Sequence, residues 1–298
     1  MDIRFLRVLL LLLLVAPLAM HPAAQAQHVL LPEAFEFAPE IPRNDAVPSP
    51  SDFLGRDTGE TYTLHADVVR YLYALADASD RVTVQEYGRT YEGRSLHLLT
   101  VTSPENHARL DGIKAANREL ADPDTDEARA AEIVAEHPIV TWLSYNVHGN
   151  EPSSTESALE VLYLLAAGES EYITDLLEQS VVLIDPVLNP DGRDRYVYWY
   201  KSMRSNQLRV SADDLEHTEP WPGGRTNHYW FDLNRDWMWL VHPESQGRIR
   251  VYQEWMPQVH MDYHEQGFNN NYFTMPGKAP RNLNLPEAYE AWADMFGG

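Results

Sequence analysis

Cysteine is absent from all 298 residues. That excludes disulfides, thiolate nucleophiles and cysteine-held metals, so any metal must rest on histidine and carboxylate. Positive charge is scarce as well: 23 Lys and Arg stand against 45 Asp and Glu, a formal net charge of -22. Such a surface repels nucleic acid and anionic lipid, and no basic cluster offsets it, so nucleic acid is excluded as a partner. Long hydrophobic runs are also missing. The run "VLLLLLLVAPLA" (8 to 19) is too short to cross ~30 Å of hydrocarbon, which takes about 20 apolar residues.

That short run has another reading. Arg4 and Arg7 precede it and "AQA" ends at Ala26, the charged, apolar and small-residue succession of a secretory signal peptide. Residues 1 to 26 are therefore expected to be removed on export, giving a secreted or periplasmic protein with no stable membrane span. Loss of Asp2, Arg4 and Arg7 leaves a mature charge of -23.

Residues 27 to 60 carry five prolines and little periodicity, and read as an extended N-terminal segment. Regular patterning starts at Thr61. "LHADVVRYLYALADAS" (64 to 79) has helical spacing, and "RVTVQEYG" and "SLHLLTVTS" flank "RTYEGR" as a β-hairpin. "ENHARLDGIKAANREL" reads as one amphipathic helix with "DPDTDE" as a solvated loop behind it. "HPIVTWLSYNV" and "SVVLIDPVLNP" are buried strands. "SSTESALEVLYLLAAG" between them is a helix capped by Ser153 or Ser154. "NPDGRDRY" (189 to 196) is a turn by composition, and "WMPQVHMDYHEQG" a last strand. Strands alternating with helices predict an α/β fold, a mixed, mainly parallel twisted sheet with helices on both faces. Polar motifs follow Val147, Leu188 and Tyr263, at strand ends where such sheets gather ligands.

In "YNVHGNEPSST" (145 to 155), His148 and Glu151 are three apart in a turn leaving a strand, where an imidazole and a carboxylate can converge on zinc. The bland alternative is a solvated turn. Gly149 and Asn150 let the backbone bend, and Pro152 stiffens the exit. A third ligand is offered by His264 or His260. His264 is favoured because it stands at the strand end, with Asp262 on the same face to orient it. In "FDLNRDW" (231 to 237), Asn234 and the fork of Arg235 suit a carboxylate, the alternative being an ordinary Arg235–Asp236 ion pair. Lys201 and Arg204, in "WYKSMRSNQ", are further candidates to meet an anion.

Together, "YGRTYEGRSLHLLTV", "HGNE", "NPDG", an arginine, "DLNRDW" and "DYHEQG" occur in the order of, and so resemble, the zinc metallocarboxypeptidase family, its bacterial branch above all. The resemblance implies one zinc ion held by His148, Glu151 and His264, the two-histidine, one-glutamate donor set of carboxypeptidase A. It implies further that Arg204, twelve residues after Gly192, polarises the scissile carbonyl, and that Asn234 and Arg235 bind a substrate's terminal carboxylate. The expected partner is then a peptide or protein with a free C-terminus. The pattern departs from the family at its end. The general-base glutamate comes several tens of residues after the third ligand, but only 34 residues follow His264, and they close on an unfinished helix. The catalytic domain, 61 to 298, is accordingly expected to be incomplete, with no general base in this chain. Glu265 points to the opposite face of its strand, and Glu287 and Glu290 lie on the polar side of the last helix. A zinc amidohydrolase cutting cell-wall peptides, or an inactive zinc- or peptide-binding module, are the competing expectations.

Overall fold

A computed structural model describes residues 36–205, 209, 211–267, 282–286 and 288–297. The signal-peptide reading, the start of the proline-rich segment and Glu287 lie outside these described residues. Everything described falls in one unit, Glu36–Gly298.

A five-stranded sheet forms the frame: β1 (Val82–Arg89), β2 (Ser95–Val101), β3 (Ile139–Tyr145), β4 (Ser180–Asp185) and β5 (Val259–Tyr263). Their order is β1-β2-β4-β3-β5. The β1–β2 hairpin and β2–β4 are antiparallel, whereas β4–β3 and β3–β5 are parallel. The sheet is mixed, and its parallel half carries the polar motifs. Every residue of β4 is buried, which is why its sequence is an unbroken apolar run up to Asp185.

Alternation sends successive side chains of the central strands to opposite faces. On one face Leu99, Val182 and Ile184 pack with Val68, Leu72 and Leu75 of α2 (His65–Ala78) and with Leu159 and Leu162 of α6 (Ser153–Ala167). On the other, Leu98, Trp142 and Leu183 pack with Val251 and Trp255 of α9 (Pro243–Trp255) and Ile113 of α4 (Leu110–Leu120). The expected helix-flanked α/β sheet is thus present.

Several local expectations change. The proline-rich segment is not merely extended from residue 36 onward: it includes α1 (Pro50–Leu54) and buries Val47 in the core. The helix expected over 105–120 is broken into α3 (Pro104–His107) and α4, with the Arg109 guanidinium turned back onto Asn106 Oδ1. In "DPDTDE", Asp126 caps α5 (Glu127–Glu136), its carboxylate accepting from Arg129 N. A further helix, α7 (Glu171–Gln179), precedes β4. "NPDGRDRY" is not a turn but the start of α8 (Pro190–Met203). Asn189 caps it by accepting from Gly192 N at 3.0 Å, and Pro190 occupies the first turn, where no N–H is needed. Helix α6 has no serine side-chain cap; Ser154 N instead donates to Glu265 Oε1 at 2.9 Å. The terminal helix is present as α10 (Ala288–Gly297).

Candidate metal centre

Ser144 of β3 pairs with Asp185 of β4 and with Asp262 of β5, so one rung of the sheet ends in polar groups. Beyond it the chain leaves β3 through Asn146, which is buried with a φ of 60°. Asparagine tolerates that left-handed conformation, and its amide donates to His148 O at 3.0 Å and Glu151 O at 2.8 Å. The turn carrying His148 and Glu151 is therefore closed from inside.

Gly149 is required for a reason other than bending. A Cβ there would fall 2.1 Å from Arg193 N, and one at Gly192 would fall 2.3 Å from Gly224 O. Two glycine-bearing loops and the first turn of α8 lie backbone against backbone, and only glycine admits that approach.

His148, Glu151 and His264 come together with their ligating atoms within 4.8 Å of one another. His148 Nδ1 is 2.8 Å from Glu151 Oε1, and His264 Nδ1 is 3.1 Å from Glu151 Oε2. Both outer nitrogens meet carboxylates too: His148 Nε2 is 3.0 Å from Asp232 Oδ1, and His264 Nε2 is 3.0 Å from Asp262 Oδ2. His264, facing carboxylate at both nitrogens, carries two protons, or one proton and a metal ion, because a carboxylate cannot donate. Asp232 and Asp262 stand behind the two rings and orient them with both Nδ1 atoms towards Glu151. This donor set fits zinc.

The electrostatics agree. Burial pushes the Glu151 carboxyl up, yet the hydrogen bonds with His148 and His264 outweigh it and hold it at about 2. Its hydrogen bonds to Asp262 and Glu151 push the His264 imidazole up to about 10. Asp262 is held below the usual carboxylate range against its own burial, by His264 and by Ser144, whose Oγ donates at 3.0 Å. His260, the other candidate ligand, is directed elsewhere. Its Nε2 lies 2.9 Å from Ser144 Oγ, and its ring packs on Trp237 and Tyr252.

The zinc carboxypeptidase family model matches residues 68–269, about two thirds of the chain. The chain belongs to the zinc carboxypeptidase family. It is 27% identical over 136 residues to a probable carboxypeptidase 2 of Arthroderma benhamiae, covering 46% of this chain and 20% of that one. A probable carboxypeptidase 2 of Trichophyton verrucosum is 26% identical over 153 residues, with coverages of 51% and 22%. Among solved structures, carboxypeptidase A from Helicoverpa armigera aligns with a TM-score of 0.43 at 19% identity, covering 72% of this chain and 48% of that one. The chain spans about a fifth of the length of these curated relatives and about half of that solved structure.

Within this member of the zinc carboxypeptidase family the remaining candidates are placed unevenly. Asn234 stands at the site, its Nδ2 3.3 Å from His264 Nε2, on the one-turn helix Leu233–Arg235. Arg235 is exposed and donates to Asn234 O. Its alternative partner, Asp236, is buried and accepts from Val241 N and His242 N instead. Arg204 caps the far end of α8. Eleven residues of helix separate it from Arg193, on the order of 16 Å at ~1.5 Å per residue. A different arginine stands beside the triad. Arg225 Nη1 is 3.9 Å from Glu151 Oε1, and its Nε and Nη2 donate to Asp232 Oδ2 at 3.2 and 2.9 Å.

Sequence reasoning missed Arg225 and Asp232, although Asp232 sits inside "FDLNRDW" and Arg225 seven residues before it. As outer partners of the candidate ligands His148 and His264, Asp232→Asn and Asp262→Asn are each expected to weaken zinc binding ~10–100-fold while the fold persists. Chelator competition on the purified variants measures it, and affinities unchanged in both would remove their orienting role.

Proposed function

We propose that this chain binds one zinc ion through His148, Glu151 and His264 and acts on peptide bonds at free C-termini, as an exported metallocarboxypeptidase. The convergence of both Nδ1 atoms on Glu151, with Asp232 and Asp262 behind them, carries the reading. Zinc, when bound, supplies an acidified water and a polarised carbonyl. The chain's own residues do the rest. Asn234 and Arg235 receive the terminal carboxylate, the guanidinium as a bidentate fork, and so set the bond to be cut. The resemblance gives carbonyl polarisation to Arg204. Proximity to Glu151 favours Arg225, whose charge is already oriented by Asp232. Glu265 is engaged with Ser154 N, which supports the expectation that it is not the general base. Export rests on residues 1 to 26; among the described residues no helix is long and apolar enough to cross a membrane.

The test is binding of one peptide with a free and with an amidated C-terminus to the zinc-loaded chain. The free form is expected to bind more tightly, and Arg235→Ala to erase the difference. Equal binding by the unaltered chain would sink the carboxypeptidase reading and favour an amidohydrolase. In whatever turnover the chain shows, Arg225→Ala is expected to lower kcat ~10²–10³-fold with zinc retained. Arg204→Ala is expected to change it little. The reverse ranking would return the role to Arg204.

A further inference from the structure

The three candidate ligands are held with unequal firmness. His148 and Glu151 lie in the turn that Asn146 closes from inside, and their side chains are only 3% and 10% exposed. The His264 side chain is 34% exposed and follows β5, which stands at the edge of the sheet beside β3. Val259 and Met261 of that strand are exposed, so they add little apolar burial to hold it. Tyr263 stacks on Tyr145, with ring centroids 4.3 Å apart at 5°, and the pairing of β5 with β3 ends at these two residues. Beyond them the ladder no longer places the chain.

The residue after His264 reaches a different element. Glu265 Oε1 accepts from Ser154 N at 2.9 Å, across 111 residues of sequence. Ser154 is the second residue of α6, where backbone N–H groups have no acceptor within the helix. Pro152 occupies the N-cap position of that helix and supplies no side-chain acceptor. A carboxylate suits such an end twice over, as acceptor for the N–H and as negative charge facing the helix dipole.

Ser154 also holds the other side of the site. It is buried, and its Oγ donates to Glu151 O at 2.8 Å. One residue thus grips the backbone of a ligand through its hydroxyl and the neighbour of another ligand through its N–H. Alternation lets adjacent residues do separate work at the strand end: His264 faces Glu151, and Glu265 faces the helix.

We propose that Glu265 is a positioning residue of the metal centre, a clasp from the end of β5 to the start of α6 that sets His264 against Glu151. The proposal rests on the zinc-site reading above. With the clasp closed, the third ligand is in place before the metal arrives, and binding does not have to order the strand end. Chelator competition for zinc on the unaltered chain, Glu265→Ala and Glu265→Gln tests it, with the visible absorption of bound Co2+ as a second readout. Glu265→Ala is expected to weaken zinc about tenfold, as groups behind metal ligands do. Glu265→Gln is expected to restore most of the affinity, because its amide oxygen still accepts from Ser154 N. The Co2+ bands of the alanine variant are expected to move towards those of His264→Ala, since they report ligand geometry and not helix stability. Capping without a metal role gives a lower melting temperature for Glu265→Ala with zinc affinity and Co2+ bands unchanged, and that result overturns the clasp. So does a glutamine variant as weak as the alanine one, which would leave charge as the whole effect. His264→Ala separates the two readings. Unchanged zinc affinity in that variant removes the metal centre and the clasp together, whereas weakened affinity there with Glu265→Ala unaffected removes the clasp alone.

Discussion

Glu151→Gln is expected to weaken zinc binding by more than ~100-fold, since even partners behind the ligands are worth 10–100-fold. The substitution keeps size and shape but removes the one negative charge that both Nδ1 atoms face. It also removes a hydrogen bond that helps hold His264 at about 10. That value sets the pH dependence. Zinc must displace the His264 proton, so in the unaltered chain apparent affinity should climb as pH rises from neutrality towards 10, about tenfold per unit for one released proton. The zinc-free chain should move the other way. A histidine raised above its unfolded value of ~6.5 stabilises the fold fully below that pH, and the contribution is lost as pH passes through the folded value. Chelated protein is therefore expected to lose thermal stability between pH 7 and 10, and zinc-loaded protein to lose less. Chelator competition and thermal melts across that range measure both, and an affinity independent of pH would overturn the account.

The parts of this site legible in the sequence are those carried by local chain chemistry. "HGNE" after a buried strand and His264 at the end of β5 follow from strand ends and alternation, and the structure has them converge. Asp262 was legible from the same alternation, two residues before His264 on one face. Residues joined only by tertiary packing were hidden. Nothing in the spacing of Arg225 reveals that the backbones at Gly149, Gly192 and Gly224 lie against one another and so bring it to Glu151. The resemblance gives the carbonyl-polarising role to Arg204 by its place after "NPDG", and reading "NPDG" as a turn leaves out the helix whose far end Arg204 caps. The signals against that reading, Asn189 before Pro190 and Asp191, are those of a helix start.

Arg193→Met is expected to cost ~3–5 kcal/mol of folding stability, the usual effect of removing one partner of a buried ion pair. Arg193 is fully buried. Its Nη2 donates to Glu156 Oε1 at 2.6 Å, its Nε to Thr63 O and its Nη1 to Pro152 O, both at 3.0 Å. Burial pushes the guanidinium down from its ordinary value, and Glu156 works against that. Methionine fills much of the space but leaves Glu156, buried, with Thr63 N and Oγ1 as its donors at 2.7 Å and only the more distant Arg56 Nη2, at 3.9 Å, as a cation. For a domain of this size the loss lowers the melting temperature by on the order of 10 °C. The damage should reach the metal as well, because Arg193 lies against Gly149 and holds the carbonyl of Pro152, the residue after Glu151. The double variant Arg193→Met with Glu156→Leu, which leaves no stranded charge, is expected to recover most of the stability but not the anchoring of Pro152. Urea denaturation and zinc titration of the two variants separate these effects. Recovery of both together would mean that the pair serves the core alone.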